Sequence, residues 1–392
     1  MNSFIRKTFV FVLLLAVALT ALTAQSITEK NTYTVEVTDL SQNIFTTKYG
    51  NLWTTGTAGE FTERGFAWGD IVQVSFLGQT IDMPVVPTYS YVPTGETILV
   101  MAKDQTGNPD GNLQLAINMG DFTTTYGIAT KTTNADKTWY WTAQEGVGFP
   151  LSIRINMKEK EGFLEEFLIH DLQRTDNRED YPQLSDEQFA NFRIVGTTGM
   201  HGKLYRSSSP ISDEIGRNAY ADAACRKAGI TVAVNLADDR ASAENHAGFK
   251  GSYYSTLKLA CLNLGVDLSS PEFQKGLAEG LRFMISNPGT YVVHCAEGKD
   301  RAGFVSAILE CLMGASADEV VEDYMVTYYN YYGVEKGSAK YQAIANGNIV
   351  KSLEKSFGIS DLYSADLASA SEGYLKSIGL SSEEIKALKA NL

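Results

Sequence analysis

The sequence is poor in cysteine, in basic residues and in long apolar runs, and each shortage excludes a class of protein. Four cysteines in 392 residues argue against a disulfide framework in a chain of this length. The 33 basic residues are outnumbered by 46 acidic ones, so the formal net charge is −13. An acidic chain without basic runs excludes nucleic acid and anionic membrane surfaces as expected partners.

The one long apolar run lies at the N-terminus. Arg6 and Lys7 precede an apolar stretch at residues 9–19, and small residues follow up to Ala24. This order is typical of a secretory signal peptide, and the run is short for a membrane span, which needs about 20 apolar residues. We expect cleavage after Ala24, export to the periplasm or the exterior, and no integral span in the mature chain. A short N-terminal anchor helix is the alternative.

The four cysteines all lie in the second half of the chain. Cys225 and Cys261 could pair in an oxidising compartment, but buried thiols are the simpler prediction. Cys311 lies on a predicted helix and is expected to pack in the core. Cys295 has a different setting, because it begins a loop between a predicted strand and a predicted helix.

The loop belongs to the stretch YVVHCAEGKDRAG at residues 291–303. Its first residues predict a buried strand, and the apolar spacing over residues 302–313 predicts a helix. A loop that closes onto a helix N-terminus points several backbone N–H groups at one spot, where negative charge is favoured. The same field should stabilise a nucleophilic thiolate at Cys295. Arg301, six positions later, is spaced to donate two N–H groups to an oxyanion.

A thiolate beside an anion receptor suits attack on a phosphate ester. Asp300 is a candidate to protonate the leaving oxygen and then to activate water. Lys299 adds positive charge at the rim, and the small residues Ala296 and Gly298 let the backbone fold into a nest. This chemistry needs no cofactor and no metal.

The segment from His294 to Gly303 resembles the HCxxGKDRTG loop of a bacterial branch of the cysteine-dependent protein tyrosine phosphatases. That branch acts on phosphotyrosine and, in some members, on phosphoinositides. The resemblance implies Asp300 as the acid, and His294 is expected to orient the loop or tune the thiolate. Ala302 replaces the usual Thr, whose hydroxyl helps the thiolate to leave the phosphoenzyme, which leaves turnover open. The residues implied in substrate binding are Ala296, Glu297, Gly298, Lys299 and Ala302.

Two segments upstream resemble further parts of the same family. Residues 191–196, NFRIVG, are similar to its NFRDLGG segment, and residues 202–208, GKLYRSS, to its GxLYRSG segment. In the family these segments lie near the phosphate loop, so Arg193 and Arg206 are candidates to support it. A structural salt bridge is an equal alternative.

A second acid candidate follows the buried strand predicted at residues 231–236. By resemblance to the family segment LRSDRE, Asp239 is delivered toward the loop and competes with Asp300 as general acid. We interpret the neighbouring Asp238 as a solvated turn residue.

The N-terminal half has a different character, with short β-rich runs separated by turns, which suggests a small antiparallel barrel or sandwich. Short pieces such as YGNL at residues 49–52 and GDIV at residues 69–72 resemble the C-terminal β-barrel of S-adenosylmethionine hydroxide adenosyltransferases. That family's site needs a second domain with no counterpart in this sequence, so its chemistry is not expected here. Trp139 and Trp141 could stack a ligand, but a place in a core or hairpin is favoured. The predicted strands are residues 33–37, 71–76, 97–101, 113–117 and 151–155.

The sequence therefore predicts a signal peptide (1–24), a small all-β domain (25–157), a linker (158–184) and a cysteine-phosphatase domain (185–392). The last is expected to be α/β, with a central, mostly parallel sheet flanked by helices. The expected function is a secreted phosphomonoesterase of the protein tyrosine phosphatase type, acting on a phosphorylated protein. The alternatives are a phosphoinositide or inositol phosphate phosphatase of the same fold, and a phosphate-binding protein with impaired turnover.

Overall fold

The computed structural model describes residues 32–41 and 44–392, which divide into two compact units between Asp171 and Leu172. The predicted signal peptide lies outside the described residues. The division falls within the stretch predicted as a linker, but that stretch is largely folded. Its first part continues a strand to Glu159 and forms a helix, in which Phe167 stacks on Tyr91 with ring centroids 5.5 Å apart.

The first unit is built on a seven-stranded sheet in the order β1-β9-β3-β4-β5-β6-β2. Its pairs are antiparallel except for β4 with β5, so the sheet of the predicted antiparallel barrel or sandwich contains one parallel pair. The Glu36 amide donates to Thr55 Oγ1 at 3.0 Å, which brings β1 beside β2 and curls the sheet into a barrel. The strands are β1 Thr32–Val37, β2 Leu52–Thr57, β3 Ile71–Phe76, β4 Gln79–Val86, β5 Thr97–Val100, β6 Asn112–Ile117 and β9 Leu151–Glu159.

A separate hairpin in this unit pairs β7 (Ala129–Thr133) with β8 (Trp139–Ala143). Trp141 is buried, and its indole N–H donates to the Thr47 carbonyl at 3.2 Å. The tryptophans of this segment therefore belong to a hairpin, the favoured alternative. The helices of the unit are α1 Ala58–Glu63, α2 Phe122–Thr125 and α3 Leu164–His170.

The second unit contains a five-stranded sheet in the order β10-β11-β14-β12-β13, parallel except for the pair β10–β11. The predicted mostly parallel sheet with flanking helices is confirmed. β14 is the central strand, and its residues Tyr291, Val292 and Val293 are fully buried. Such burial is expected because helices cover both faces of a parallel sheet. The strands are β10 Arg193–Ile194, β11 Leu204–Ser207, β12 Val232–Asn235, β13 Lys258–Cys261 and β14 Tyr291–His294.

Helix starts in this unit follow their capping residues. Ser316 and Glu319 form the capping box that the sequence SADE at residues 316–319 predicts, and Ser270 caps the helix that has Pro271 in its first turn. The sequence also predicts a helix from Ile211 to Ala228, but the helix begins only at Asn218, because residues 211–217 form bends and turns. The helices are α4 Asp186–Phe189, α5 Asn218–Lys227, α6 Arg240–Asn245, α7 Pro271–Ser286, α8 Arg301–Met313, α9 Ala317–Tyr332, α10 Ala339–Ala345, α11 Lys351–Phe357, α12 Leu367–Ser377 and α13 Ser382–Asn391, with a π-helical turn at Asn346–Val350.

Three expectations concern chemistry outside the loop. All four cysteines are free thiols, and Cys225 and Cys311 are buried. Over the described range, no cluster of three or more His, Cys, Asp and Glu side chains is arranged to hold a metal ion. No helix in residues 32–41 and 44–392 has the length and apolar character needed to cross a membrane.

Candidate active site

The candidate site lies at the C-terminal end of the central strand. β14 ends at His294, Cys295 follows with 3% of its surface exposed, and α8 begins at Arg301. The carboxyl ends of parallel strands are the usual place for ligands in open α/β sheets. The predicted order of strand, cysteine loop and helix is therefore found.

The carbonyl groups of the loop are bound from behind by the protein. The Ser209 amide donates to Ala296 at 2.9 Å, and the Tyr331 hydroxyl donates to Glu297 at 2.8 Å. Arg206 Nη2 donates to Gly298 at 2.9 Å and to Lys299 at 3.2 Å. C=O and N–H point in opposite directions across a trans peptide, so the loop amides face the other way. Within the described residues, the amides of 296–300 have no acceptor, so they form an anion-binding nest.

Gly298 is required by two features of this loop. Its φ is +70°, a conformation that favours glycine. A Cβ atom at this position would lie 2.1 Å from the carbonyl oxygen of Ser207. The turn of the loop therefore packs against the end of β11, where no side chain fits.

Arg206 both supports the loop and forms a salt bridge. Its fully buried guanidinium contacts the Asp323 carboxylate at 2.7 Å, and Arg193 contacts the same carboxylate at 2.8 Å. Burial acts to raise the pKa of Asp323, but the two arginines hold it below its ordinary value. Burial raises the pKa of the nearby Glu310 carboxyl well above its ordinary value, which favours its neutral form. The Asp323 carboxylate is thus shared by the two arginines beneath the loop.

His294 orients the loop through its two ring nitrogens. Nδ1 lies 3.3 Å from the Cys295 carbonyl oxygen and Nε2 lies 2.7 Å from the Tyr254 hydroxyl. A carbonyl only accepts, so Nδ1 carries the hydrogen and Nε2 accepts from Tyr254. Burial lowers the pKa of His294 to about 4, which fixes the neutral ring. Of the two roles considered from the sequence, orienting the loop is the one that these contacts serve.

Arg301 begins α8 and reaches across to neighbouring strand ends. Its Nη1 donates to the carbonyl of Leu264 at 2.8 Å and of Leu236 at 3.4 Å. These two bonds fix the plane of the guanidinium. Within residues 32–41 and 44–392, Nε and Nη2 have no acceptor, and they are the donors left for an oxyanion.

The two candidates for the general acid differ in their positions and in the direction of their pKa shifts. Asp300 is the residue before α8, with 60% of its side chain exposed. Desolvation raises its pKa against the opposing effect of Lys299, with a further increase from Glu297. Asp239 instead caps α6, accepting from the Ser242 amide at 2.7 Å, and this bond lowers its pKa.

The interpretation of Asp238 as a solvated turn residue is wrong. Its carboxylate accepts from Asn235 Nδ2 at 2.9 Å and lies 3.2 Å from His246 Nε2. The reason is the tight turn after β12, which returns the side chain to the end of its own strand. Asp238 is thereby held in a local polar cluster.

The rim of the loop carries a chain of alternating charges. Glu297 binds Arg174 through Oε1 and lies 3.2 Å from Lys299 Nζ through Oε2. Lys299 Nζ also lies 3.8 Å from Asp300 Oδ2 and 3.3 Å from the Tyr332 hydroxyl. Burial acts to lower the pKa of Lys299, but these neighbours raise it above its ordinary value, so the ammonium stays charged.

Ala302 lies in the first turn of α8 and is fully buried. Its methyl group provides no hydrogen bond where the family has a hydroxyl. The adjacent Gly303 packs so closely on Arg206 and Tyr324 that a Cβ would lie 2.7 Å from each. The start of α8 is therefore tightly packed around position 302.

Several contributing residues were not predicted from the sequence. Arg174 was placed in a linker, and Asp323 was not singled out. The tyrosine-rich stretch that contains Tyr331 predicts one wall of a substrate cleft and not a hydrogen bond to the loop. Asn191 Nδ2 donates to the carbonyl of Glu297 at 3.2 Å. The Asn191 position in the NFRIVG segment was a usable signal, whereas nothing near Arg174 indicated its role.

Comparisons with known proteins agree with both halves of the chain. A model described as the tyrosine phosphatase family matches residues 169–392, more than half of the chain. A model of the SAM hydroxide adenosyltransferase C-terminal domain matches residues 44–134. A curated tyrosine-protein phosphatase from Nostoc commune is 27% identical over 146 residues, which cover 32% of this chain and 45% of that protein.

Solved structures with similarity include two phosphatases. TpbA from P. aeruginosa, in complex with pTyr, aligns over 50% of this chain and 94% of its own, with 15% identity and a TM-score of 0.30. The core catalytic domain of the PP-IP phosphatase SIW14 from S. cerevisiae aligns over 42% of this chain and 89% of its own. Its identity is 17% and its TM-score is 0.26.

Proposed function

Because the chain belongs to the tyrosine phosphatase family, we propose that it is an exported phosphatase that hydrolyses phosphate monoesters through a cysteinyl-phosphate intermediate. The observation that carries this proposal is the loop of residues 296–300. Its carbonyls are bound by the protein behind them, and within the described residues its amides have no acceptor. Such a preorganised set of donors stabilises the charge that develops on a transferring phosphoryl group.

In the first step the Cys295 thiolate attacks phosphorus, an S–P bond forms and the P–O bond to the leaving group breaks. The loop amides and the free donors of Arg301 bind the equatorial oxygens. The Asp300 carboxylic acid gives its proton to the leaving oxygen. A pKa raised by desolvation favours the protonated form that this role needs.

In the second step the Asp300 carboxylate accepts a proton from water. The resulting hydroxide attacks phosphorus, the S–P bond breaks, and the thiolate leaves with its electron pair while phosphate is released. Thiolate departure is the step at which Ala302 supplies no hydrogen bond. We therefore expect hydrolysis of the intermediate to limit turnover.

The test is hydrolysis of p-nitrophenyl phosphate by the mature chain in the presence of EDTA. The wild type should turn over, and Cys295→Ser should be inactive yet still bind inorganic phosphate. Cys261→Ser serves as the matched control, since it removes a thiol at the end of β13 in the same sheet. Activity that depends on metal and survives Cys295→Ser would refute the proposal.

A second candidate, a phosphate-binding protein with impaired turnover, is favoured by the single departure at Ala302. It predicts one equivalent of p-nitrophenol per protein and then no further release. Export is tested separately, by locating the chain with and without residues 1–24 in cell fractions.

A further inference from the structure

We propose that Glu297, anchored by Arg174, keeps the Lys299 ammonium engaged within the loop and thereby restricts the site to esters that carry a single phosphate. The inference rests on the proposed phosphatase function and concerns the substrate class of the same site. Lysine within the loop would by itself favour highly anionic substrates. The contacts of this lysine reverse that expectation.

Lys299 Nζ donates a hydrogen bond to the Tyr332 hydroxyl at 3.3 Å and forms ion pairs with two carboxylates, at 3.2 Å from Glu297 Oε2 and 3.8 Å from Asp300 Oδ2. Only 17% of its side chain is exposed. A second phosphate on the substrate would have to compete with these two carboxylates for the ammonium.

Glu297 is the carboxylate that holds Lys299 in this cluster. Its other carboxylate oxygen binds Arg174, whose guanidinium lies 5.3 Å from the centre of the Tyr331 ring and 3.2 Å from Asp176. Lys299 and Arg174 hold the pKa of Glu297 below its ordinary value although burial acts to raise it. The carboxylate is therefore charged and held between two cations, so neither cation is available to a ligand.

Two further arginines near the loop are also committed. Arg206 and Arg193 lie behind the loop and share Asp323. A pocket of about 200 Å³ beside Asp300 has no basic residue in its lining, which includes Phe304 and Asn348. The nest and the free donors of Arg301 thus remain as the anion receptor of the loop.

The test compares wild type with Glu297→Gln on two probes, p-nitrophenyl phosphate and inositol hexakisphosphate. The variant removes the charge that holds Lys299 and keeps the side-chain length. We expect the ratio of the inositol hexakisphosphate rate to the p-nitrophenyl phosphate rate to rise about tenfold, as freeing one cation for a second phosphate predicts.

Two further variants identify the cause of such a rise. Asp176→Asn removes the same charge from the other partner of Arg174 and should leave the ratio unchanged. In Glu297→Gln/Lys299→Gln the gain should vanish, because the freed ammonium is gone. An unchanged ratio in Glu297→Gln, or an equal rise in Asp176→Asn, would overturn the inference. If Glu297→Gln does not fold, Glu297→Asp withdraws the carboxylate by one methylene and takes its place.

A binding measurement separates this inference from the proposed function. In the Cys295→Ser background, titration calorimetry with inositol hexakisphosphate should give about tenfold higher affinity when Glu297→Gln is added. This result would support the inference even if no variant hydrolysed either probe, which would refute the phosphatase proposal alone. Equal affinities of Cys295→Ser with and without Glu297→Gln would contradict the inference whatever the rates.

Discussion

Arg206 Nη2 lies 2.9 Å from the carbonyl oxygen of Gly298, so a fully buried guanidinium from β11 holds the turn of the loop that follows β14. The other arm of the same guanidinium contacts Asp323. This connection ties the loop to α9 before any substrate arrives. The geometry of the anion receptor is thus set by packing, and binding need not create it.

Arg206→Lys tests this connection, because it keeps the charge and loses the planar fork that serves two partners. We expect the free energy of unfolding to fall by about 2 kcal/mol, since a buried carbonyl loses a charged donor. Affinity for inorganic phosphate should fall as well. Arg240→Lys, at an exposed ion pair with Glu244, should change stability by less than about 0.5 kcal/mol. Equal effects at both positions would contradict the assigned role.

Asp300→Asn should lower kcat/KM about 10²- to 10³-fold for substrates with a poor leaving group, and less for p-nitrophenyl phosphate, whose leaving group needs little protonation. The acid form is the active one, so wild-type kcat/KM falls as pH rises through the raised pKa of Asp300. This fall of kcat/KM at high pH, the basic limb of the profile, should disappear in the variant. Asp239→Asn keeps the helix cap, since Asn also caps well, and should retain the limb. A limb lost only in Asp239→Asn would reverse the assignment.

Ala302→Ser should speed the second step. It adds a single hydroxyl in a tightly packed first turn, whereas Thr adds a methyl group as well and risks overpacking. A hydrogen bond to the departing thiolate should raise the steady-state rate roughly tenfold or more and remove any burst. Rapid-quench kinetics separate burst from turnover. A faster burst with an unchanged steady state would contradict this account of position 302.

His294→Asn tests the buried neutral imidazole. The pKa of His294 falls from its ordinary value of about 6.5 to about 4 in the folded chain. Between these two pH values the unfolded chain binds more protons than the folded chain. The contribution of His294 to stability is therefore complete above about pH 6.5 and is lost as the pH falls toward 4. Urea unfolding from pH 7 to 4 should show a loss about 3 kcal/mol larger in wild type than in the variant. Equal losses of unfolding free energy in wild type and variant would mean that the imidazole of His294 is in contact with solvent.

The sequence predicted those parts of the site that depend on residues close together in the chain. A run of β-branched residues is sufficient to make β14 a buried strand, and the spacing of apolar residues defines α8. Helix caps at Ser270 and Ser316 were likewise visible, because capping depends on residues only three positions apart. The start of α5 at Asn218 was missed since the preceding turns also contain apolar residues.

The chemistry proposed for this protein could be predicted from the sequence alone, because Cys295, Asp300 and Arg301 lie within seven residues and a single loop carries their order. Only the tertiary structure decided which groups control that chemistry. Arg174 is 123 residues from Glu297, and Asp323 is 117 residues from Arg206, distances along the chain at which no periodicity or spacing relates one side chain to another. Burial lowers the pKa of His294, whereas neighbouring charges keep Lys299 and Glu297 charged against the effect of burial. Both effects exist only once the chain has folded.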